Sequence, residues 1–243
     1  MKKRITALLL ALVMTVSLWA CAGGRGADEN QIPESTGGKD LVRAESADNV
    51  FSLNTNPNYS LNPYVATNHS NQLVCDLVYE NMVEVDENFK AIPNVITSWS
   101  CNDDATIWTL TLDQEKTHYF SDGDPVEGKD LVYSIGYAIY NDRFRGRFAS
   151  FKGASYTDDG MTVTLGIGDS QFIKLLNIPV IKLGTFEVEA HVPPIGSGAY
   201  MSDEERITLV ANPYYPDSRN LPLQTIYLQE YTDAEGTLSA FED

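Results

Sequence analysis

Among the side chains that could do chemistry in this sequence are three pairs of adjacent acids and the three histidines. The acid pairs are Asp103-Asp104, Asp158-Asp159 and Glu204-Glu205. A glycosidase needs two carboxylates facing one substrate across a set separation, and neighbours in turns between strands seldom meet that requirement. His69, His118 and His191 do not lie at ligand spacing from another His or Cys, so we predict no transition-metal site. We therefore expect no catalytic residues, no cofactor and no resident metal.

Cys21 is the cysteine whose position indicates a modification. Lys2, Lys3 and Arg4 precede a mostly apolar stretch, Ile5–Ala20. As a helix this stretch would span about 24 Å, less than the ~30 Å of a bilayer core, which favours a secretion signal over a permanent span. Its end, Leu18-Trp19-Ala20-Cys21, resembles a bacterial lipobox. We predict a signal peptide at residues 1–20 and a diacylated Cys21 that anchors an extracytoplasmic protein to the cell membrane.

Cys75 and Cys101 remain as a pair in an exported setting. That setting permits a disulfide without demanding one. The alternative is two free thiols, and Cys75 does lie on an apolar helical face. The sequence leaves both possibilities open.

The composition is that of an acidic globular protein. The chain has 243 residues, 17 Lys plus Arg against 34 Asp plus Glu, a net charge of -17 and 43% hydrophobic residues. Such a charge repels phosphate backbones, and the densest basic run after the N-terminus is only Arg143, Arg145 and Arg147. We therefore expect no nucleic-acid partner.

The elements that would position a site are predicted to alternate between strands and helices. Residues 21–48 read as a lipidated cysteine and a flexible, glycine-rich tether, and a folded body begins at residue 49. A strand is predicted near Val50–Leu53, and a helix capped by Asn68 or Ser70 carries an apolar stripe that includes Leu73 and Val78. The further predicted elements are a strand at Ile107–Leu112, a short strand at His118–Phe120, a helix at Leu131–Ile139, a hairpin turning at Asp158-Asp159-Gly160, strands at Ile207–Val210 and Thr225–Tyr231, and a helix from Thr232. The fold class is mixed α/β.

Motifs along residues 49–243 resemble the extracytoplasmic solute-binding proteins of ABC importers, family 5, which includes oligopeptide, dipeptide and nickel receptors. The motifs are Leu61-Asn62-Pro63, Val78–Met82, Ile92-Pro93-Asn94, Ser98-Trp99, Trp108–Leu112, Phe120–Gly123, Pro125-Val126, Asp130–Ser134, Ile195–Tyr200, Asn212–Tyr215 and Ala240–Asp243. Asn62 stands where the family has Asp, and Ala199 where it has Pro.

The resemblance implies a periplasmic-binding-protein-like (type II) lobe that is incomplete, because the family's chain continues for about as long again into a second lobe. It also implies a monomeric receptor that captures a peptide or related small solute and delivers it to ABC permease subunits. The family's ligand-facing loop falls on Ala66, Thr67, Asn68 and His69, which we predict as binding residues. The alternative for them is to cap the following helix. The alternative for the whole chain is a surface lipoprotein that acts as an interaction or scaffold module without transport.

Overall fold

The computed structural model describes residues 51–113, 117–186, 189–216 and 218–231, which lie in one compact unit. Within these residues the elements are β1 Ser52–Thr55, α1 His69–Val78, β2 Val83–Val85, β3 Ala91–Pro93, β4 Ile96–Cys101, β5 Ile107–Leu112, α2 Gly128–Ala138, a 3-10 turn Arg145–Phe148, β6 Phe151–Thr157, β7 Gly160–Leu165, α3 Phe172–Leu175, β8 Tyr200–Ser202, β9 Thr208–Ala211, a second 3-10 turn Ser218–Asn220 and β10 Thr225–Glu230. The predicted signal peptide, Cys21, the tether and the helix predicted from Thr232 lie outside the described residues. The mixed α/β prediction is confirmed.

Two four-stranded sheets and a small hairpin organise the strands. One sheet has the order β1-β10-β9-β8, in which β1 pairs with β10 in parallel and the other pairs are antiparallel. The second has the order β4-β5-β7-β6 and is antiparallel throughout. In β5 the predicted alternation is confirmed, because Trp108, Leu110 and Leu112 are buried while Ile107 and Thr109 are exposed.

The hairpin of β6 and β7 turns at Asp158-Asp159, as predicted, and the packing of the sheet explains the glycine that follows. A Cβ at Gly160 would lie 2.1 Å from the carbonyl oxygen of Leu110 on the neighbouring strand. Glycine is therefore needed for the close approach of two strands. His118–Phe120 forms only an isolated bridge, between Tyr119 and Pro125, instead of the predicted strand.

Helix α1 begins where Asn68 caps it: the side chain of Asn68 accepts a hydrogen bond from the backbone N–H of Asn71 at 3.2 Å. An N-cap acceptor of this kind satisfies one of the free N–H groups of a first turn. Val74 and Val78 are fully buried, as the apolar stripe predicts. Leu73 is 44% exposed, so its assignment to the buried face was wrong.

Helix α2 begins at Gly128, one turn earlier than predicted. The Asp130 carboxylate accepts the N–H of Glu127 at 2.9 Å and, across the fold, the N–H of Leu183 at 2.8 Å. Burial raises the pKa of Asp130, and these two hydrogen bonds oppose that shift. Ser134 accepts the N–H of Ile181 at 2.9 Å, so α2 is bonded along its length to the segment that follows α3.

Both described cysteines are free thiols. Cys75 is buried on α1 and its Sγ donates to the carbonyl of Leu61 at 3.1 Å, whereas Cys101 is exposed at the end of β4. Of the two possibilities left open by the sequence, the structure shows free thiols.

No helix among the described residues combines the length and the apolar character that a bilayer span requires.

Candidate functional site

The loop that enters α1 is shaped by Asn62. Its side-chain oxygen accepts the N–H of Tyr64 at 2.9 Å, and its backbone carbonyl accepts the N–H groups of Val65 and Ala66 at 2.9 and 2.8 Å. A side-chain oxygen that mimics a backbone turn in this way is the property shared by Asn and Asp. This explains how Asn62 can stand where the resembling motif has Asp.

A second loop meets this one from the end of α2. The amide of Asn141 donates to the carbonyl of Tyr64 at 2.7 Å, while its own carbonyl oxygen accepts the N–H of Arg143 at 2.9 Å. The ring of Tyr64 packs edge-on against Phe144 at a centroid distance of 5.6 Å. The two loops are therefore joined by a polar contact and an aromatic one.

An open depression of about 490 Å³ lies between these two loops. Its lining consists of residues 63–67, residues 140–143 and the side chains of Gln72, Tyr137 and Phe186. The rings of Tyr137 and Phe186 are stacked 3.7 Å apart with an angle of 3° between them. Aromatic faces beside amide, hydroxyl and charged groups are typical of small-solute sites, which need apolar area and a few polar groups that fix orientation.

The structure brings two of the four predicted residues into this depression. Ala66 and Thr67 line it, although Ala66 is buried and its carbonyl accepts the side chain of Gln72 at 3.0 Å. Asn68 performs the capping role, and His69 is the exposed first residue of α1. Neither of these two belongs to the lining, and ligand contact by any of the four stays a prediction.

The residues missed by the sequence analysis are those of the second loop and the aromatic stack: Tyr137, Tyr140, Asn141, Asp142, Arg143 and Phe186. One signal for them was present, because the basic run Arg143, Arg145 and Arg147 is unusual in so acidic a chain. That run was used only to exclude nucleic acid.

Burial shifts the pKa of two ionisable side chains at or beside the site. Burial raises the pKa of Tyr64 far above its usual range, and the phenol donates to the carbonyl of Pro179 at 2.5 Å. Tyr64 is thus a neutral structural donor. Arg143 and Arg147 supply the positive charge nearby, and burial lowers the pKa of Arg147 from its ordinary value.

The histidines are engaged elsewhere or exposed. Nδ1 of His118 lies 2.8 Å from a carboxylate oxygen of Glu80, and Nε2 of His191 lies 3.1 Å from one of Glu189. Within residues 51–113, 117–186, 189–216 and 218–231 there is no group of three side chains that could hold a metal ion.

Comparison with known proteins identifies the family of this chain. Residues 90–243 match the sequence profile described as bacterial extracellular solute-binding proteins, family 5 Middle. The chain belongs to this family. Its members are extracytoplasmic binding proteins of transport systems, not enzymes.

Individual relatives agree with this assignment. The periplasmic murein peptide-binding protein MppA of Escherichia coli K12 is 26% identical over 230 residues, which are 81% of this chain and 41% of MppA. Its unliganded open form superimposes with a TM-score of 0.64 at 20% identity, covering 80% of this chain and 44% of MppA.

Two further structures share the fold. MoaA from A. tumefaciens R10, in complex with mannopinic acid, has a TM-score of 0.64 at 20% identity, with 79% of this chain and 43% of MoaA covered. NikZ from Campylobacter jejuni, in complex with Ni(L-His), has a TM-score of 0.58 at 18% identity, with 80% and 41% covered. The fold is that of periplasmic binding proteins, and the chain spans about two fifths of the length of these relatives.

Proposed function

We propose that this chain is the N-terminal part of a substrate-binding lipoprotein of an ABC importer. It captures a peptide or a related small polar solute and delivers it to a membrane permease. The observation that carries this proposal is the depression between residues 63–67 and 140–143 in a member of this family. MppA is named for a murein peptide, and the structures of MoaA and NikZ hold mannopinic acid and Ni(L-His); all three solutes are small and polar.

The depression suits such a solute on physical grounds. It offers exposed aromatic area at Tyr140, which is 83% exposed, next to the Thr67 hydroxyl and the Gln72 amide. An aromatic face binds apolar parts of a solute, while hydroxyl and amide groups replace hydrogen bonds that the solute made with water. The open side of the depression leaves room for a second surface to cover the solute by hinge closure.

The test uses the full-length protein, native mass spectrometry and thermal unfolding in the presence of peptide mixtures. We expect co-purified or added peptides to bind, and Tyr140→Ala to weaken binding by about 1–2 kcal/mol. Tyr156→Ala is the matched control, because Tyr156 is also an exposed tyrosine, 57%, but lies on β6 outside the depression. Equal losses from both variants would contradict the placement of the site. Repeated absence of any bound solute would favour the non-transport interaction module.

Asn68 and His69 need a variant that separates capping from ligand contact. Asn68→Ser keeps an N-cap oxygen and removes the amide, so it should leave stability within about 0.5 kcal/mol of the parent. If the Asn68 amide also contacts the solute, Asn68→Ser should weaken the free energy of binding by about 1 kcal/mol. His69→Ala should weaken it by a similar amount if the imidazole contacts the solute. Unchanged affinity in both variants would restrict Asn68 to its capping role.

The proposed anchor is tested separately. Cys21→Ser removes the acceptor thiol, so the protein should lose its lipid mass and move from the membrane fraction to the soluble fraction. A variant that stays in the membrane fraction would contradict a lipid anchor at Cys21. The same mass spectrum reports whether residues 1–20 have been removed.

A further inference from the structure

We propose that Arg143 and Arg147 together form a binding site for the carboxylate group of a small solute. The site lies beside Pro63 at one end of the depression described above. That the carboxylate belongs to the transported solute rests on the proposed function. The anion site itself does not.

Both guanidinium groups are held against one buried ring. Phe144 is 2% exposed, and the guanidinium carbons of Arg143 and Arg147 each lie 5.1 Å from its centroid. Cation–π contacts at this distance are attractive and restrict the side chains. Both guanidinium groups are therefore held against the same ring before any ligand arrives, and this contact restricts the two side chains in advance.

Within the described residues, neither guanidinium lies within ion-pair distance of a carboxylate. The one arginine ion pair in the described residues joins Arg145 to Asp142, at 3.2 Å. Arg147 donates through Nη1 to the carbonyl of Asn177 at 2.6 Å, which uses one of its five N–H donors. A guanidinium with free N–H groups can bind a carboxylate through two parallel hydrogen bonds, and such charge-assisted pairs are among the strong ones.

A cavity of about 270 Å³ gives a ligand access to both arginines. It also contains Glu84, but the two carboxylate oxygens of Glu84 accept the amides of Asn81 and Asn177, each at 3.0 Å. Both Glu84 oxygens therefore have hydrogen-bond partners other than the two arginines. The cavity shares Arg143 and Pro63 with the larger depression, so one solute can extend into both.

The charge of the surroundings favours a monoanion over a dianion. Asp76 also lines this cavity, and Arg143 is close enough to lower its pKa against the larger, opposite effect of burial. The whole chain carries a net charge of -17. A dianion such as phosphate meets about twice the repulsion of a carboxylate from these charges, so carboxylate is the better fit. Burial and the neighbouring Arg143 both lower the pKa of Arg147, and a bound anion would oppose both effects.

The direct test titrates the full-length, isotope-labelled protein with sodium acetate at constant ionic strength and follows the arginine Nε–Hε signals by NMR. We expect saturable shifts at Arg143 and Arg147. Arg147→Gln and Arg143→Gln should each raise the acetate Kd at least ten-fold. Arg145→Gln is the matched control, because it removes the same charge from the same segment, and its Kd should stay within two-fold of the parent.

Several outcomes would overturn the site. Shifts of all three arginines that never saturate, or an equal loss in Arg145→Gln, would show general screening instead of a site. Tighter binding of inorganic phosphate than of acetate would overturn the carboxylate assignment. If Arg147→Gln does not fold, Arg147→Lys keeps the charge but loses the paired donors, and an unchanged Kd in this variant would contradict the proposal.

A second arm tests the link to the transported solute. Tri-alanine should bind at least ten-fold more tightly than tri-alanine amide, and Arg143→Gln should remove the difference. Equal affinities for the two peptides would show that the acetate site does not bind the carboxylate of the solute. Saturable acetate binding with no peptide binding at all would leave the anion site standing and remove the proposed function, so the two failures are distinguishable.

Discussion

Asn71 does not line the candidate site, but its replacement should disturb the loop that forms one side of the site. Its side chain is fully buried on α1, where its oxygen accepts the N–H of Asn56 at 2.8 Å. Its amide lies within hydrogen-bond distance of the carbonyls of Asn56 and Tyr59, both at 3.1 Å, and of Ser60 at 3.4 Å. One side chain therefore holds the segment that leads into the 61–67 loop.

The expected loss for Asn71→Ala follows from these contacts. Each of the three shorter hydrogen bonds contributes about 1 kcal/mol net, and backbone groups that lose a buried partner add about 1 kcal/mol. Alanine returns about 0.5 kcal/mol through its higher helix propensity. We expect the free energy of unfolding to fall by about 3–4 kcal/mol, measured by urea denaturation monitored by circular dichroism.

Gln72→Ala is the control for this prediction. Gln72 is the next residue on the same helix and is partly exposed, and its side chain makes one hydrogen bond, to the carbonyl of Ala66 at 3.0 Å. Its loss should be about 1 kcal/mol or less. A loss below about 1 kcal/mol for Asn71→Ala, or one equal to that of the control at an unchanged m-value, would refute the reasoning.

Asn71→Asp sharpens the same test because it keeps the shape and the acceptor while removing the amide donors. Burial and nearby carbonyls favour the protonated acid, so the folded-state pKa lies above the unfolded value of about 3.9. The folded state then binds the proton more tightly, and stability falls as pH rises above about 4. A stability difference from the parent that does not change between pH 4 and pH 7 would contradict this placement of the side chain.

Three further predictions concern other parts of the fold. Gly160→Ala should cost at least about 3 kcal/mol because its Cβ meets backbone 2.1 Å away, whereas Gly153→Ala on the adjacent strand β6 meets nothing within 4 Å and should be tolerated; equal urea midpoints would contradict this. Peptide-resolved alkylation at pH 8 should label exposed Cys101 and spare Cys75, whose pKa burial raises to about 12; equal labelling of the folded protein would contradict the structure. Since burial raises the pKa of Asp130, its contribution to stability is greatest when protonated and falls as pH rises above about 3.9; Asp130→Asn should remove this step from the pH profile.

Much of the fold could be predicted because burial and chain periodicity are coupled. The alternation in β5 and the stripe on α1 both follow from one face turned towards the core. Leu73 and Asn71 show where this fails, because the leucine is exposed and the asparagine is buried. Asn71 can lie in the core only because the 56–60 segment supplies its hydrogen-bond partners, and no local pattern reports that segment's position.

The candidate site was harder to predict for a related reason. Its two loops are far apart in the chain, and they meet through a hydrogen bond from Asn141 to the carbonyl of Tyr64 and through the ring contact of Tyr64 with Phe144. Periodicity predicts which face of a helix is buried, but it does not say which loop the end of that helix meets. The number of charges in the basic run around Arg143 therefore does not predict its role. The role that we propose for the run depends on Phe144. This residue is buried against Tyr64, in the loop that leads to the predicted binding residues, and the guanidiniums of Arg143 and Arg147 lie against its ring.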